Sequence, residues 1–391
     1  MLYFSNKELF YFNGSTLTAI PCHAVDQYKK NLEEIKQRKE WKSKGTGAMF
    51  MGLTGAQQDP DLLQIYPCDA VFTDQNQLIY AARLEDGTAV YSKSLLNLQE
   101  VEGLVLRKKD FIVHTMDYEA SGKRLVLSAS VSGEYERHLS ILEVEGNRIQ
   151  YVTEGDCQDA NPVFDPRNPD QIYYDSCGFA YDHHRRILIG PKRICLLNLK
   201  TGDLDTVMEH PDFDFLKPQI DRLGNLYFLK RPYKNKRDPL SLFKDLIAAP
   251  FKIIKAIIGW LDFFTQNYAG ESLKTTSGKN PAKGKQISEE ELFIEDNLIN
   301  VEKTRRQNIN TGEKYPGIIP KSWELVRRSP DGTLHTLKKG VLSYSVDGDH
   351  IIYSNGELLV QIGADLHETK LLEGKLITKV ARNPQTAPFG A

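Results

Sequence analysis

An all-β ring of repeated sheets is the fold class this sequence predicts, and three observations carry the prediction. The first is a phrase of apolar strand, second strand, tight Gly, Asn or Asp turn and third strand, which recurs six times in the 391 residues. The second is spacing. Later copies open at Leu78, Leu125, Ile172, Leu226 and Ile351, in near-even steps except the last, so one copy carries a long insertion. The third is the wrap: from Ile351 through residue 391 back to Leu2 is again about one repeat, and Lys375 to Ala381 is an alternating strand with no partner phrase after it. A unit that cannot bury its own apolar face stacks on its copies. Together these observations predict a six-bladed β-propeller with N/C-terminal strand closure, a helical insertion in the fourth blade and a helix after the N-terminal strands.

The elements follow in order. The N-terminal copy begins directly at Leu2-Tyr3-Phe4 without a leading strand, so residues 1–21 and 375–391 are assigned to the closing blade. Closing the ring leaves only short strand edges. Residues 22–60 form a helical connector. From Ala24 to Trp41, Val25, Tyr28, Leu32 and Ile35 make one apolar stripe on an otherwise charged helix. Such a helix either packs against the ring edge or docks a partner with Trp41 as anchor. The glycines that follow, Gly45, Gly47 and Gly52, lack the Lys-Ser/Thr pair of a phosphate loop. Residues 61–374 supply the other five blades, interrupted over 232–320. In complete copies a further strand precedes the phrase: Ala70-Val71-Phe72, Pro162 to Asp165 and Pro218 to Asp221, each ending in a polar turn.

The wording Asn161-Pro162-Val163-Phe164-Asp165-Pro166, then Gln171 to Ser176, then Arg193 to Asp203 resembles the TolB/WD40-like (PD40-type) β-propeller repeat, also found in propellers fused to prolyl oligopeptidases. The resemblance covers most of the chain outside two inserts and implies the propeller architecture. Propellers of this kind serve as docking platforms, substrate gates and, less often, enzymes. This chain departs from the pattern where the Pro-Asp-Gly turn is kept, as at Pro330-Asp331-Gly332, in some copies only.

Composition narrows the function classes. Fifty Lys plus Arg stand against 52 Asp plus Glu, so no global field for nucleic acid exists. Met1 to Glu8 has no basic n-region or long apolar h-region and is already strand-like. Five cysteines, at 22, 68, 157, 177 and 195, have no C-x-x-C pair and fit reduced small hydrophobes. A cytoplasmic location, or one peripheral on the cytosolic membrane face, is expected.

The fourth-blade insertion is the most distinctive segment. Loops of its size in compact folds are usually functional or disordered. Asp238-Pro239 opens a helix that Pro250 kinks. Phe243, Phe251, Ile254, Ile258 and Phe264 recur on its apolar face, with Trp260 beside them, while Lys252 and Lys255 lie opposite. Lys234, Lys236 and Arg237 stand just before it; over 230–265 eight basic residues face three acidic ones. The charges break the run too often for a transmembrane span, whereas an apolar face beside a basic cluster fits an interfacial helix. Three occupants remain for that face: an anionic membrane surface, a protein partner or second copy meeting 238–268, and the ring itself. Gly270 to Lys285 reads as a flexible tether.

Catalytic constellations are sparse. No Gly-x-Ser-x-Gly elbow or His-Glu-x-x-His motif occurs. Asp182-His183-His184 offers adjacent residues that rarely converge on one metal. Asp156-Cys157-Gln158-Asp159, at a blade mouth, reads either as turn chemistry or as a cation or nucleophile site. No catalytic residue, metal or cofactor is assigned. The expected function is a non-catalytic binding platform; the alternative is a propeller hydrolase or lyase whose polar groups converge at the central channel mouth.

Overall fold

The computed structural model describes residues 1–43, 65–74, 76–131, 135–146, 148–181, 187–233, 291–295, 297–347 and 350–381. Among them the chain opens with β1 (Leu2–Ser5), β2 (Glu8–Phe12), β3 (Leu17–Ala19) and the helix α1 (His23–Ser43). Blade 1 follows as β4 (Tyr66–Phe72), β5 (Gln77–Leu84), β6 (Gly87–Ser94) and β7 (Gly103–Lys109). Blade 2 is β8 (Phe111–Glu119), β9 (Arg124–Val131), β10 (His138–Glu143) and β11 (Arg148–Tyr151). In blade 3, β12 (Cys157–Asp165), β13 (Asn168–Tyr181), β15 (Arg193–Asn198) and β16 (Leu204–Met208) form the sheet, and β14 (Ile187–Ile189) pairs the end of β13.

Blade 4 is split by the insertion. Its β17 (Phe213–Ile220) and β18 (Leu226–Pro232) precede a hairpin, β19 (Glu291–Ile294) and β20 (Asn297–Asn300), and α2 (Val301–Asn310), before β21 (Glu324–Arg328) and β22 (Leu334–Lys339) complete the sheet. Blade 5 is β23 (Ser343–Asp347), β24 (His350–Ser354), β25 (Leu358–Ile362) and β26 (Glu368–Glu373), and β27 (Ile377–Ala381) ends the described chain. Leu2 pairs with Ala381 and Tyr3 with Val380, so β27-β1-β2-β3 is blade 6 and the ring closes as the sequence wrap predicts.

Each repeat turns its apolar faces toward its neighbours, and the core is accordingly a series of seams. Val71, Ile79, Leu125 and Leu127 bury between blades 1 and 2; Leu139, Phe164 and Tyr174 between 2 and 3; Phe215, Phe228 and Ile194 between 3 and 4. Leu216, Tyr353 and Val360 fill the 4–5 seam, and Tyr3, Ile352 and Ile377 the 5–6 seam. Burying each such side chain contributes about 1.5–3 kcal/mol, and no blade can collect that alone. The closing seam is reinforced: Leu2, Phe4, Tyr80 and Leu84 pack together, and Val25, Tyr28 and Leu32 of α1 lie against them. Of the stripe predicted for α1, Ile35 is instead exposed. Glu102 accepts from the His23 and Ala24 amides and fixes the start of α1, so the helix seals the seam. The side chain of Trp41 lies outside the described residues.

Inner strands were expected to begin near Pro162 and Pro218, but β12 and β17 start five residues earlier, at Cys157 and Phe213. A register shift interrupts each. Asn161 and Lys217 sit at these shifts with φ of 49° and 52°, a left-handed conformation that Asn adopts more readily than most residues. The strand continues through the bulge, where a sequence pattern sees only a break.

Candidate functional site

The first strand of every blade faces the central channel, and polar side chains on it, joined in blade 3 by Asp175 of the second strand, connect each blade to the next. Asp69 of β4 accepts from the Met116 amide of β8 at 2.7 Å. Thr115 and Asp117 accept from the amides of Asn161 and Phe164 on β12, at 3.0 and 2.9 Å. Asp175 of β13 accepts from the Asn161 side chain at 2.7 Å and from the Lys217 amide of β17 at 2.9 Å. Gln219 bridges to β23 twice, donating to the Tyr344 carbonyl and accepting from the Val346 amide. Ser343 accepts from Val380 of β27, and Lys379 returns to Asp69 as an ion pair. All six seams are thus latched, and β4, β8, β12 and β17 each carry a register shift beside their latch residues.

Charge is distributed unevenly around this belt. Where blades 6, 1 and 2 meet, Asp69 and Asp117 share Lys379. Burial raises the Asp69 carboxyl above its ordinary range even though Lys379 pulls it down, and burial pushes Asp117 up to about 6 against the amides of Phe164 and Tyr118. Where blades 3 and 4 meet the insertion, three carboxylates face three cations. Lys192 lies 3.4 Å from Asp175, Arg231 2.9 Å from Asp214, and Lys217 2.7 Å from Glu295. Burial would raise the Glu295 carboxyl; Lys217, Lys192 and Arg231 outweigh it and hold it at about 2.

Glu295 is the turn residue of the β19–β20 hairpin, so the insertion itself supplies the last member of this cluster. Arg231 also donates to the Glu295 carbonyl at 2.7 Å and lies over the Trp323 ring at 4.7 Å. Ile294, Ile299 and Val301 bury against Trp323 and Leu342, and Arg305 of α2 pairs with Glu357 of blade 5. The described end of the insertion is therefore seated on the ring. A cleft beside α2, lined by Glu313, Lys338 and Tyr353 among others, encloses about 220 Å³ open to solvent. The cleft is shallow, with room for about one water molecule, and Lys338 and Lys321 already engage Glu313 there.

A third polar group sits at the same end of the ring. In an antiparallel blade, entries into inner strands and second-to-third strand connections share one end. His138 follows such a connection, Cys157 follows such an entry, and the insertion is itself such a connection. His138 Nδ1 lies 4.0 Å from Cys157 Sγ, and donor atoms of His138, Cys157 and Asp159 all fall within 4.8 Å of one another. Ser176 donates to Asp159 at 2.7 Å. Burial and the neighbouring Asp159 push the Cys157 thiol up to about 12, which is the reverse of an activated nucleophile. The reading of 156–159 as turn chemistry yields to this geometry: Cys157 and Asp159 occupy a strand, two residues apart and on one face. That spacing was visible in the sequence; the third member, from another blade, was not.

The predicted membrane- or partner-binding residues, Lys234, Lys236, Arg237, Phe243, Phe251, Lys252, Ile254, Lys255, Ile258, Trp260 and Phe264, lie outside the described residues, as do Asp182, His183 and His184. No helix among the described residues is long and apolar enough to cross a membrane.

No protein-family model matches the chain, and no curated protein does. Similar solved structures include a nidogen/laminin complex chain, at 6% identity over 97% of this chain and 96% of that one with a TM-score of 0.45. Oligogalacturonate lyase from Vibrio parahaemolyticus is 10% identical over 80% of this chain and 78% of its own, with a TM-score of 0.39. A putative TolB from Agrobacterium tumefaciens is 12% identical over 41% of this chain and 52% of its own, with a TM-score of 0.32.

Proposed function

We propose that this protein is a non-catalytic binding platform, a rigid ring carrying a recruitment element at one end of its channel. The observation that carries this reading is the seating of the insertion. Segment 234–290 departs just after Arg231 and returns just before Glu295, and those two residues are bonded to each other and to the ring. Carboxylates and cations do converge at the channel, as the enzyme alternative requires. In the blade 3–4 cluster, however, each carboxylate is matched to a cation, and the belt residues are spent on joining blades. Such groups hold a structure together and leave little charge to act on a substrate.

Recruitment is assigned to residues 238–268, and an anionic membrane surface is the favoured target. Of the eight basic groups over 230–265, each near such a surface contributes on the order of 1 kcal/mol before screening. Phe243, Phe251, Ile254, Ile258, Trp260 and Phe264 would supply the apolar face. Sedimentation with anionic and with neutral liposomes, for the full chain and for one lacking 238–268, tests the assignment. Binding that needs both anionic lipid and the segment supports it. No binding by either form overturns the membrane target and moves the segment to a protein interface.

A further inference from the structure

We propose that His138, Cys157 and Asp159 form a binding site for a borderline-soft divalent transition cation, with zinc the best match. The inference is independent of the platform reading. Thiolate, imidazole and carboxylate are the three donor types zinc accepts, and a three-ligand set leaves a fourth position for water. A tetrahedral zinc with bonds of about 2.3 Å to sulfur and 2.0–2.1 Å to nitrogen holds those two atoms about 3.6 Å apart. The observed 4.0 Å between Cys157 Sγ and His138 Nδ1 is within a small side-chain adjustment of that.

The donors are held from behind. Asp159 is buried, and no lysine or arginine among the described residues forms an ion pair with it; instead it accepts from Ser176 at 2.7 Å, which fixes the carboxylate as second partners do in metal sites. His138 is positioned by the backbone beside it: the Arg137 amide donates to the Cys157 carbonyl at 3.1 Å, and the Asp159 amide donates to the Arg137 carbonyl at 2.9 Å. Space is present as well. Gly178 stands directly opposite Cys157 in the β12–β13 register, so the residue paired with it adds no side chain beside the thiol. Cys177, its chain neighbour, falls on the other face by strand alternation, and His138 and Cys157 both keep partial exposure, the side from which a cation and a water would enter. Binding exchanges the Cys157 S–H proton, released to solvent, for a sulfur–metal bond.

The test uses the full chain, stripped with chelator and titrated with Co²⁺ as a spectroscopic stand-in. Expected is a thiolate-to-cobalt charge-transfer band, displaced by Zn²⁺, that Cys157→Ser abolishes and Cys68→Ser leaves intact. His138→Gln should shift or remove the ligand-field bands. Ser176→Ala should weaken affinity about 10- to 100-fold while keeping the band, the effect of losing an orienting partner. Circular dichroism of each metal-free variant checks that the ring persists. Should Cys157→Ser fail to fold, the His138→Gln and Ser176→Ala spectra decide. No band in the wild type, or a band that survives in both Cys157→Ser and His138→Gln, overturns the proposal.

Discussion

The two halves of the channel belt hold carboxylates of the same kind and treat them oppositely. Beside blades 6, 1 and 2 burial dominates, so Asp69 and Asp117 resist ionisation with only Lys379 to balance them. Beside blades 3 and 4 three cations meet three carboxylates, and Glu295 ionises far more readily than usual. The count of nearby cations, more than burial itself, decides which effect wins. One half behaves as a charged clamp for the insertion; the other is held by hydrogen bonds and stores a penalty for ionisation.

Removing a cation from the clamp should have the largest effect. Arg231→Ala leaves Asp214 buried and unpaired and strips the hairpin of its anchor, so unfolding in urea should show a loss of about 3–5 kcal/mol. If the loss is below about 1 kcal/mol, the clamp does not bear on stability. Lys379→Met on the other half should cost less, about 2 kcal/mol at neutral pH, because the Asp69 carboxyl, already raised by burial, can take up a proton once its cation is gone. Its penalty should grow as pH rises; a pH-independent penalty would break the contrast between the halves.

Asp117→Asn sharpens the comparison from the other direction. A carboxyl raised to about 6 favours the folded state below its unfolded value near 4 and loses that contribution as pH rises through 6. The amide keeps an acceptor for the Phe164 amide without the charge, so the variant should be about 1–2 kcal/mol more stable at pH 7 and equal to wild type at pH 4. Glu295→Gln should do the reverse and least. With a folded value of about 2, its contribution is present above about 4.5 and fades as pH falls toward 2. Because the side chain is 31% exposed, solvent screening brings the loss at pH 7 to about 1 kcal/mol, vanishing near pH 2 in thermal melts.

The strands of the ring were legible because their alternation and their repetition are both local properties of sequence. Closure was legible too, since Lys375 to Ala381 had no other partner to pair. The bulges were not: Asn161 and Lys217 lie where the alternation slips, and the inner strands were cut short there. The β19–β20 hairpin has no reading of its own within the 232–320 interruption, although Leu292-Phe293-Ile294 and Leu298-Ile299 flank a polar turn and Asn300 caps α2. Beyond the Cys157 and Asp159 spacing, the clusters were not legible. Arg231 and Glu295 are separated by the length of the insertion, and His138 and Cys157 belong to different blades.

The clasp between β1 and β27 also sets a timetable for synthesis. Residues 2–5 leave the ribosome about 370 residues before 377–381, which at ~5–20 residues per second means a wait of roughly 20–75 s. The two faces of β1 do not wait equally. Leu2 and Phe4 pack on blade 1 and α1, which emerge early, whereas Tyr3 packs on Ile352 and Ile377, which emerge late. A nascent chain therefore carries a half-covered strand with an open hydrogen-bonding edge for most of its time on the ribosome, the kind of surface that chaperones shield and that a stalled or truncated chain leaves exposed.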